Sequence, residues 1–259
     1  MIKKIKLDEK PTNLEIVVES RRKIKLWIKV ADAERKNTFY TKRYSNVRGR
    51  KSFFVKMPQA PMLADVIVYN DLHGIDINDR TFRVVKIAPR PLNEKPLSAS
   101  KKTKSFIRFA QEFSDEAGYI PSSHKGELYR SNNGKFRIIY FDNIRSQNGK
   151  IISTPARISQ VSGKIEVSAK QFTNYTIPMR MAILLHEYSH FNLNREPHSE
   201  EEADKNGLKL YLALGYPTID AYNVFLNVFK RSPSMQNKER YERLDNFIKN
   251  NKKSKNGKR

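Results

Sequence analysis

The residues best suited to chemistry in this sequence are His186-Glu187-Tyr188-Ser189-His190, two histidines that flank a glutamate. Residues four positions apart lie on the same face of an α-helix, about one turn from each other. Two imidazoles at that spacing can bind one zinc ion. Glu187 follows the first histidine and can accept a proton from a metal-bound water. The sequence therefore predicts a zinc ion held by His186 and His190, with Glu187 as the general base.

The residues around this motif predict that it lies on a helix. Thr176 can act as the N-cap, and Pro178 falls near the first turn, where its missing N–H costs no hydrogen bond. Apolar side chains then recur at the spacing of a helix; they are Ile177, Met181, Leu184, Leu185 and Tyr188. The alternative is a buried structural helix in which both histidines are satisfied by hydrogen bonds and Glu187 is incidental.

A second helix is predicted shortly after the motif. Pro197 stops any continuation of the first helix, and Ser199 is a favourable N-cap for the next one. Three acids follow at residues 200–202, where they suit the helix dipole. One carboxylate from this turn can complete the zinc site. Asp204 lies four residues after Glu200 on the same face, and it can accept the N–H of a zinc-bound histidine.

This arrangement, H-E-x-x-H followed by Glu200 and Asp204, resembles that of the gluzincin metallopeptidases, the thermolysin-like and related families. The resemblance covers residues 150–230. It implies zinc-dependent hydrolysis of peptide bonds in a protein or peptide substrate. Carried over by position, it implies that the Zn2+ ligands are His186, His190 and Glu200, that Glu187 is the base and that Asp204 orients a ligand histidine.

Two further residues compete for the third ligand position. The gap between His190 and Glu200 is shorter than in thermolysin, so a tight turn must reverse the chain, and Glu201 could substitute for Glu200. His198 is the other candidate, because a third histidine follows the motif in the metzincins and in the SprT-like proteases that act on DNA-bound proteins. The fixed metzincin positions hold other residues here. The looser SprT-like spacing is compatible, so a DNA-associated protease is an alternative.

Hydrolysis at such a site also needs a donor that stabilises the negative charge developing on the substrate carbonyl oxygen. Three tyrosines that follow the motif are candidates, and the sequence does not rank them. They are Tyr211, Tyr216 and Tyr222.

The segment 202–217, EADKNGLKLYLALGYP, is similar to peptidase-like proteins encoded by large tailed phages, crAss-like phages among them. In such phages a peptidase-like domain joined to a β-sandwich can be a virion component. The similarity implies a location in the virion or the cytoplasm and assembly as a homo-oligomer in a particle. It also implies an alternative to enzyme function, a structural or docking virion protein that retains the peptidase fold.

The chain is strongly basic, with 50 Lys and Arg against 27 Asp and Glu and a formal net charge of +23. That charge exceeds what solubility requires and predicts a polyanionic partner, either nucleic acid or acidic virion proteins. The basic residues are spread along the chain instead of gathered in one recognition helix. Contacts with phosphates are therefore expected in preference to readout of bases.

Three classes of feature are missing from the sequence. There is no cysteine, which excludes disulfides, thiol catalysis and cysteine-ligated zinc. The N-terminal residues 1–6 contain three lysines and no apolar core, so no secretory signal is expected. No apolar run approaches the length that spans a bilayer, so no membrane span is expected.

The first third of the chain reads as β-structure. Alternating or β-branched runs predict six short strands, at 14–18, 24–30, 38–41, 53–55, 65–69 and 81–87. Turn signals separate them at 46–49 and 71–74. Strands at this spacing favour an antiparallel β-sandwich-like domain over residues 1–92. It carries no catalytic grouping and is interpreted as a docking module.

The remainder predicts a zincin-like α+β metallopeptidase domain over residues 93–250, so that the whole chain belongs to the α+β class. A proline-rich linker at 88–96 leads to an amphipathic helix, whose apolar residues are Phe106, Ile107, Phe109, Ala110, Phe113 and Ala117. Strands are predicted at 136–141, 151–158 and 164–168, and their edge strand would pair with an extended peptide. Helices are predicted at 220–229 and 238–250, before a disordered basic tail at 251–259.

Overall fold

The computed structural model describes residues 1–76, 78–93, 97–231 and 234–256, and of residues 225–231 and 251–256 the main chain alone. The fold is mixed α+β, as the sequence predicts. By its internal contacts the chain forms two compact units. The first comprises Met1–Leu97 with Leu214–Tyr216, and the second comprises Ser98–Ala213 with Pro217–Arg259. The boundary thus falls between Leu97 and Ser98, whereas the sequence analysis placed it after residue 92.

The first unit contains five strands, which are β1 (Ile2–Lys6), β2 (Thr12–Asp32), β3 (Phe39–Met57), β4 (Leu63–Asn70) and β5 (Arg83–Pro91). They form one antiparallel sheet in the order β1-β4-β2-β3, and β5 pairs with β2. β3 runs along the whole of β2, while the other side of β2 is shared. Its first half, Thr12–Glu19, pairs with β5 and its second half, Leu26–Asp32, pairs with β4.

Alternation of buried apolar residues with more exposed ones in its two halves, 14–18 and 24–30, explains why β2 is a strand on both sides of the bulge. Its inward residues are fully buried: Leu14, Ile16, Val18, Leu26, Ile28 and Val30. A shift in register between Ser20 and Ile24 interrupts the pairing with β3 without ending either strand. Such a bulge bends a sheet and increases its local twist.

Three predictions for this unit were wrong. β2 and β3 each replace two predicted short strands, so the unit has five described strands in one hydrogen-bonded sheet instead of six in a sandwich. The predicted turn at 46–49 lies inside β3, where Gly49 with φ of +68° accommodates the bulge. The predicted linker at 88–96 is part of β5 up to Pro91. Prolines are tolerated there because an outer strand can leave one row of N–H positions unpaired. Residues 94–96 of that predicted linker lie outside the described residues.

The described residues of the second unit form one sheet and six helices. In chain order these are α1 (Lys101–Glu116), β6 (Glu127–Arg130), β7 (Arg137–Phe141), β8 (Ala156–Ile158), β9 (Ile165–Ser168), α2 (Ala169–Phe172), α3 (Ile177–Asn192), α4 (Glu200–Ala213), α5 (Thr218–Arg231) and α6 (Met235–Asn256). The strand order is β6-β7-β9-β8. β7 and β9 are parallel and the other pairs are antiparallel, which leaves β8 at the edge.

Helix α1 packs on α3 through the apolar face that the sequence predicts. Phe106, Ile107, Phe109, Ala110 and Phe113 are all buried. The ring of Phe106 stacks on Tyr188 with 4.1 Å between centroids. The Tyr188 hydroxyl also lies 3.1 Å from the Thr103 hydroxyl. Tyr188 belongs to the H-E-x-x-H motif, so this contact fixes the rotation of α3 about its own axis.

Arg180, on the same helix, is fully buried and binds main-chain carbonyls of two other helices and the turn that follows one of them. Its guanidinium donates from Nη1 to the oxygen of Ser114 at 2.7 Å, from Nε to Phe172 at 3.2 Å and from Nη2 to Thr173 at 3.3 Å. Ser114 lies in α1 and Phe172 in α2. A buried charge is tolerated only when it is hydrogen-bonded in this way. Arg180 therefore joins the helices that support α3.

Two predictions for the second unit need correction. The predicted strand at 151–158 shrinks to Ala156–Ile158, because Ile151 makes only an isolated bridge with Arg145. The predicted disordered tail is helical as far as Asn256, since α6 continues through it, and residues 257–259 lie outside the described residues. Among the described residues, no helix combines the length and the apolar character that crossing a membrane requires.

Replacing Arg180 with Met is expected to lower the free energy of unfolding by about 3 kcal/mol or more, because charged donors to three buried acceptors are lost while the apolar stem is kept. Urea denaturation monitored by circular dichroism measures the change. Arg108→Met is the matched control, since Arg108 lies on the exposed side of α1. Equal stability of the two variants would contradict the role assigned to Arg180.

Candidate metal centre

The two motif histidines lie on α3 with their Nε2 atoms 3.2 Å apart. Thr176 occupies the N-cap position and Pro178 stands in the first turn, as predicted, but the Thr176 hydroxyl donates to Asp220 at 3.3 Å instead of capping the helix. Both imidazoles are largely shielded, with 14% and 7% of the His186 and His190 side chains exposed. Because the residues around them are buried, the rings have few rotamers to choose from and converge on one point.

Helix α4 supplies the third donor. Ser199 caps it, since its hydroxyl accepts the main-chain N–H of Glu202 at 3.2 Å. One carboxylate oxygen of Glu200 lies 3.5 Å from His186 Nε2, and the other lies 3.5 Å from His190 Nε2. These three residues form a group of donor atoms within 4.8 Å of one another. The helix N-terminus thus faces the histidines across a turn of seven residues, 193–199.

That turn is held by side chains from its own ends. The Glu202 carboxylate accepts the main-chain N–H groups of Arg195 at 2.7 Å and Glu196 at 3.2 Å. The Asn194 amide donates to the carbonyl of Ser199 at 2.9 Å. Glu202 therefore acts on the loop and not on the metal centre. The short gap after His190 is closed by local hydrogen bonds.

Glycine at position 207 allows α4 to approach α3 at main-chain distance. A Cβ atom at Gly207 would lie 3.0 Å from both the Cα and the main-chain nitrogen of His186, and 3.1 Å from the carbonyl carbon of Leu185. Glu200, Asp204 and Gly207 stand at spacings of four and three residues, so they share one face of α4. The contact at Gly207 brings that face onto His186. The sequence analysis missed this residue, although its place on the face of Glu200 and Asp204 was visible.

The distances among the three donors suit a single zinc ion. Zinc bonds of about 2.0–2.1 Å to nitrogen and oxygen, arranged tetrahedrally, separate two ligand atoms by about 3.3 Å. The measured separations are 3.2, 3.5 and 3.5 Å. Two histidines and one glutamate are also a donor set of catalytic zinc sites, which keep a fourth position for water. The residues present therefore fit the metal that the motif predicts.

Contacts on the far side of each imidazole set its orientation. His186 Nδ1 lies 3.0 Å from Asp204 Oδ1, and His190 Nδ1 lies 2.8 Å from the main-chain oxygen of Pro197. An acceptor at Nδ1 favours the tautomer whose Nε2 lone pair is available to a metal. The sequence analysis assigned Asp204 this role, and the structure places it beside His186. The carbonyl of Pro197 was not anticipated.

Arg240, on α6, binds both acids of α4. Its Nε lies 2.9 Å from Asp204 Oδ2, and its Nη2 lies 2.9 Å from Asp204 Oδ1 and 2.7 Å from Glu200 Oε2. No sequence pattern points to this contact, because Arg240 lies in a highly charged helix of the kind that is usually solvated. Arg240 holds the two carboxylates in place from the side opposite α3.

Glu187 lies beside the donors, in a cleft of about 400 Å³. Ile158, on the edge strand β8, lines the same cleft. The cleft is lined by β8 and the residues around it, by α3, by the turn after α3 and by single residues of α4, α5 and α6. These lining residues are Thr154, Pro155, Ala156, Arg157, Ile158, Gln160, Ala182, Ile183, His186, His190, His198, Glu200, Val224 and Arg240. The candidate base, the donor group and the strand edge therefore share one opening.

The alternative ligands lie elsewhere. Glu201 is exposed, and its carboxylate lies 3.6 Å from Nε of Arg243. His198 lines the cleft, but it is exposed and stands outside the group of three donors. Two of the tyrosines considered as oxyanion donors are engaged away from the cleft: Tyr211 donates to the carbonyl of Pro217 at 2.8 Å and Tyr222 to Asp245 at 2.6 Å. Tyr216 groups with the first unit.

Burial and charge shift the pKa values of these groups in different directions. Burial lowers the pKa of His186, but the contacts with Asp204 and Glu200 outweigh it and raise the pKa to about 10. Burial raises the pKa of Glu200, but the two histidines outweigh it and hold the pKa well below its usual range. For Asp204 the contact with His186 has the same effect. Burial dominates for Glu187, whose pKa is raised.

Comparison with known proteins does not assign the chain to a family. No protein-family model matches the chain, and no curated protein and no solved structure shows significant similarity to it.

Gly207→Ala is expected to weaken zinc binding about tenfold or more and to destabilise the fold by about 1–3 kcal/mol, because a methyl group would push α4 and its carboxylates away from His186. In an open helix the same change would stabilise by about 1 kcal/mol. Competition with a chromogenic chelator and thermal denaturation measure the two effects. Lys209→Ala, at an exposed position of α4, is the control. A Gly207→Ala variant that is more stable and binds zinc normally would refute the close approach.

Zinc binding is expected to release about one proton at pH 7.5. His186, with its pKa raised to about 10, carries a proton in the metal-free protein, and only the neutral ring binds zinc. Apparent affinity should therefore rise with pH until about pH 10. Isothermal titration calorimetry in buffers of different ionisation enthalpy counts the protons. Asp204→Asn removes one acid that raises this pKa, so it should release fewer. Equal release from both proteins would contradict the assignment.

Proposed function

We propose that the second unit is a zincin-like metallopeptidase domain of gluzincin type, which hydrolyses peptide bonds in protein or peptide substrates. The observation that carries the proposal is the convergence of His186, His190 and Glu200 beside a buried Glu187. A helix that merely needed two satisfied histidines would require neither a third donor from another helix nor a second acid behind His186.

When bound at these donors, zinc would lower the pKa of a water molecule and polarise the substrate carbonyl. His186, His190 and Glu200 would hold the ion and leave one position open towards the cleft. Asp204 keeps the His186 ring in position through Nδ1, at 3.0 Å, and the carbonyl of Pro197 does the same for His190.

Glu187 is the group placed to accept the proton of the attacking water. It follows His186 in sequence and lines the same cleft. Burial raises the pKa of its carboxyl, and a base with a raised pKa takes up a proton more readily. After accepting the proton, Glu187 can donate it to the leaving amine, as general acid–base catalysis requires.

The edge strand β8 offers a place for an extended substrate. It is the outermost strand on its side of the sheet, and Ala156, Arg157 and Ile158 line the cleft above α3. A peptide added to such an edge gains main-chain hydrogen bonds that do not depend on its sequence. This arrangement would hold a scissile bond beside Glu187.

Charge balance supports a divalent cation at the centre. Three carboxylates, Glu187, Glu200 and Asp204, crowd around the two histidines. Arg240 contributes one positive charge through its contacts with Glu200 and Asp204. A divalent cation supplies the two that are missing, so the partly buried cluster becomes neutral. Unpaired buried charges are costly, and neutrality removes that cost.

The two alternatives have less support. A SprT-like protease would need His198 on the metal, whereas His198 stands outside the donor group. A virion docking protein that only retains the fold would not need Glu187, which is present and in position. A role of the protein in a phage particle is compatible with peptidase activity and stays a prediction from the sequence similarity.

Glu187→Gln is expected to retain zinc and to lower peptide hydrolysis about 10²- to 10⁴-fold, because the amide keeps the shape of the side chain but cannot accept the proton. Metal content measured by plasma mass spectrometry after chelator-free purification, and cleavage of a quenched fluorescent peptide library, test both points. Glu200→Gln should lose zinc as well as activity.

Glu201→Gln is the matched control, because Glu201 is the adjacent acid on α4 and pairs with Arg243 instead of the donors. It should retain both zinc and activity. Wild-type protein without stoichiometric metal, or unchanged cleavage by the Glu187→Gln variant, would refute the proposal. Stoichiometric zinc without any cleavage would instead favour the docking alternative.

A further inference from the structure

The outward face of the first unit's sheet is rich in aromatic and basic residues. Side chains alternate between the two faces of a strand, and on β3 the inward residues Val47, Phe53 and Val55 are buried. The outward residues between them and at the start of the strand are Lys42, Tyr44, Asn46, Arg48 and Arg50. On β2 the outward residues of the second half are Lys25, Trp27 and Lys29. These outward side chains are exposed or half-buried.

Three aromatic rings from adjacent strands form a continuous surface, called here the aromatic platform and composed of Trp27, Tyr44 and Tyr69. Trp27 is the cross-strand partner of Tyr44 on β3 and of Tyr69 on β4. The ring centroids lie 5.3 Å apart in the first pair and 6.4 Å in the second. Tyr44 is 59% exposed, and the other two rings are half-buried. Large exposed rings side by side mark a binding surface more often than a structural one.

Lysine ammonium groups lie over the faces of these rings, where a stacking base would take their place. Lys25 Nζ is 4.2 Å from the Tyr44 centroid, and Lys29 Nζ is 4.9 Å from Tyr69 and 5.6 Å from Trp27. Lys29 also stands opposite Lys42 in the register of β2 and β3. Like charges opposite each other destabilise a sheet, and a polyanion would relieve that repulsion. Asp71 is the acid in contact with the platform, through the Trp27 indole N–H and Lys25.

Further cations extend this surface along the bend of the sheet. Arg48 and Arg50 continue the outward face of β3. The bulge of β2, opposite Arg48, contains three consecutive basic residues. These five exposed residues, called here the basic ridge, are Arg21, Arg22, Lys23, Arg48 and Arg50. Strand rise is about 3.3 Å per residue, so the ridge begins a few residues, or about 10–20 Å, from the platform.

We infer that the aromatic platform and the basic ridge form a binding surface for single-stranded nucleic acid. Unpaired bases can stack on exposed rings, while the phosphates of the same strand lie against Lys25, Lys29 and the ridge. The paired bases of a duplex do not offer their faces to a flat sheet. An acidic protein would use the cations and leave the rings without a role. The net charge of +23 would draw any such strand to the molecule.

Fluorescence anisotropy of a labelled 20-nucleotide oligo-dT with the full-length protein tests the inference. Tyr44→Ser is expected to weaken binding about fivefold or more, the loss that corresponds to one stacked base. Tyr44→Phe keeps the ring and should bind as the wild type does. Tyr119→Ser is the matched control, because Tyr119 is an exposed tyrosine of the second unit. Circular dichroism melts of each variant show that the fold is retained.

The cations are tested separately through the salt dependence. Arg48→Gln should reduce the slope of log affinity against log salt by about 0.7, the value for one phosphate contact with a single strand. Equal binding by Tyr44→Ser and wild type, or a loss also in Tyr44→Phe, would overturn the inference. So would duplex DNA bound as tightly as oligo-dT, or poly-glutamate bound as tightly and lost in the same variants, which would identify an acidic protein partner.

Discussion

The candidate metal centre depends on one close contact, that of α4 with α3 at Gly207. Because residue 207 has no side chain, the helices meet at main-chain distance beside His186. Glu200 and Asp204 lie seven and three residues earlier on the same face of α4 and are therefore carried to the two sides of the His186 ring. One acid reaches Nε2 and the other reaches Nδ1. A larger residue would separate the helices and remove both acids together.

Contacts of α3 that lie away from the candidate metal centre hold this helix in place. Arg180 binds carbonyls from α1 and from the segment of α2, and Tyr188 stacks on Phe106. These contacts fix α3 against elements on the side away from the metal centre. Arg240 does the same for α4 from α6. The centre is thus placed between helices whose own positions are determined by buried, hydrogen-bonded side chains, and such support is what a catalytic site needs in order to keep its geometry.

The two proposals rest on different units and different physics. The peptidase proposal depends on partly buried charges whose separations suit one ion. The nucleic-acid proposal depends on exposed rings and unbalanced positive charge on the outward face of a sheet. Either can fail without the other, because no residue is shared between them. If both hold, the chain combines a hydrolytic centre with a surface for a polyanion, and the basic composition of the sequence is explained by the second.

The sequence determined the features that act within one or two helical turns: the His186–His190 pair, the cap at Ser199, and Glu200 with Asp204 on one face. Such features follow from helix periodicity and local hydrogen bonds alone. The tertiary structure groups Glu200, and not Glu201 or His198, with the two histidines, brings in Arg240 and Gly207, and places β8 at the sheet edge. Periodicity states which residues share a face, but not what packs against that face. The same reason explains the first unit, where pairing with β2 keeps the predicted turn at 46–49 within the long strand β3, opposite the bulge of β2.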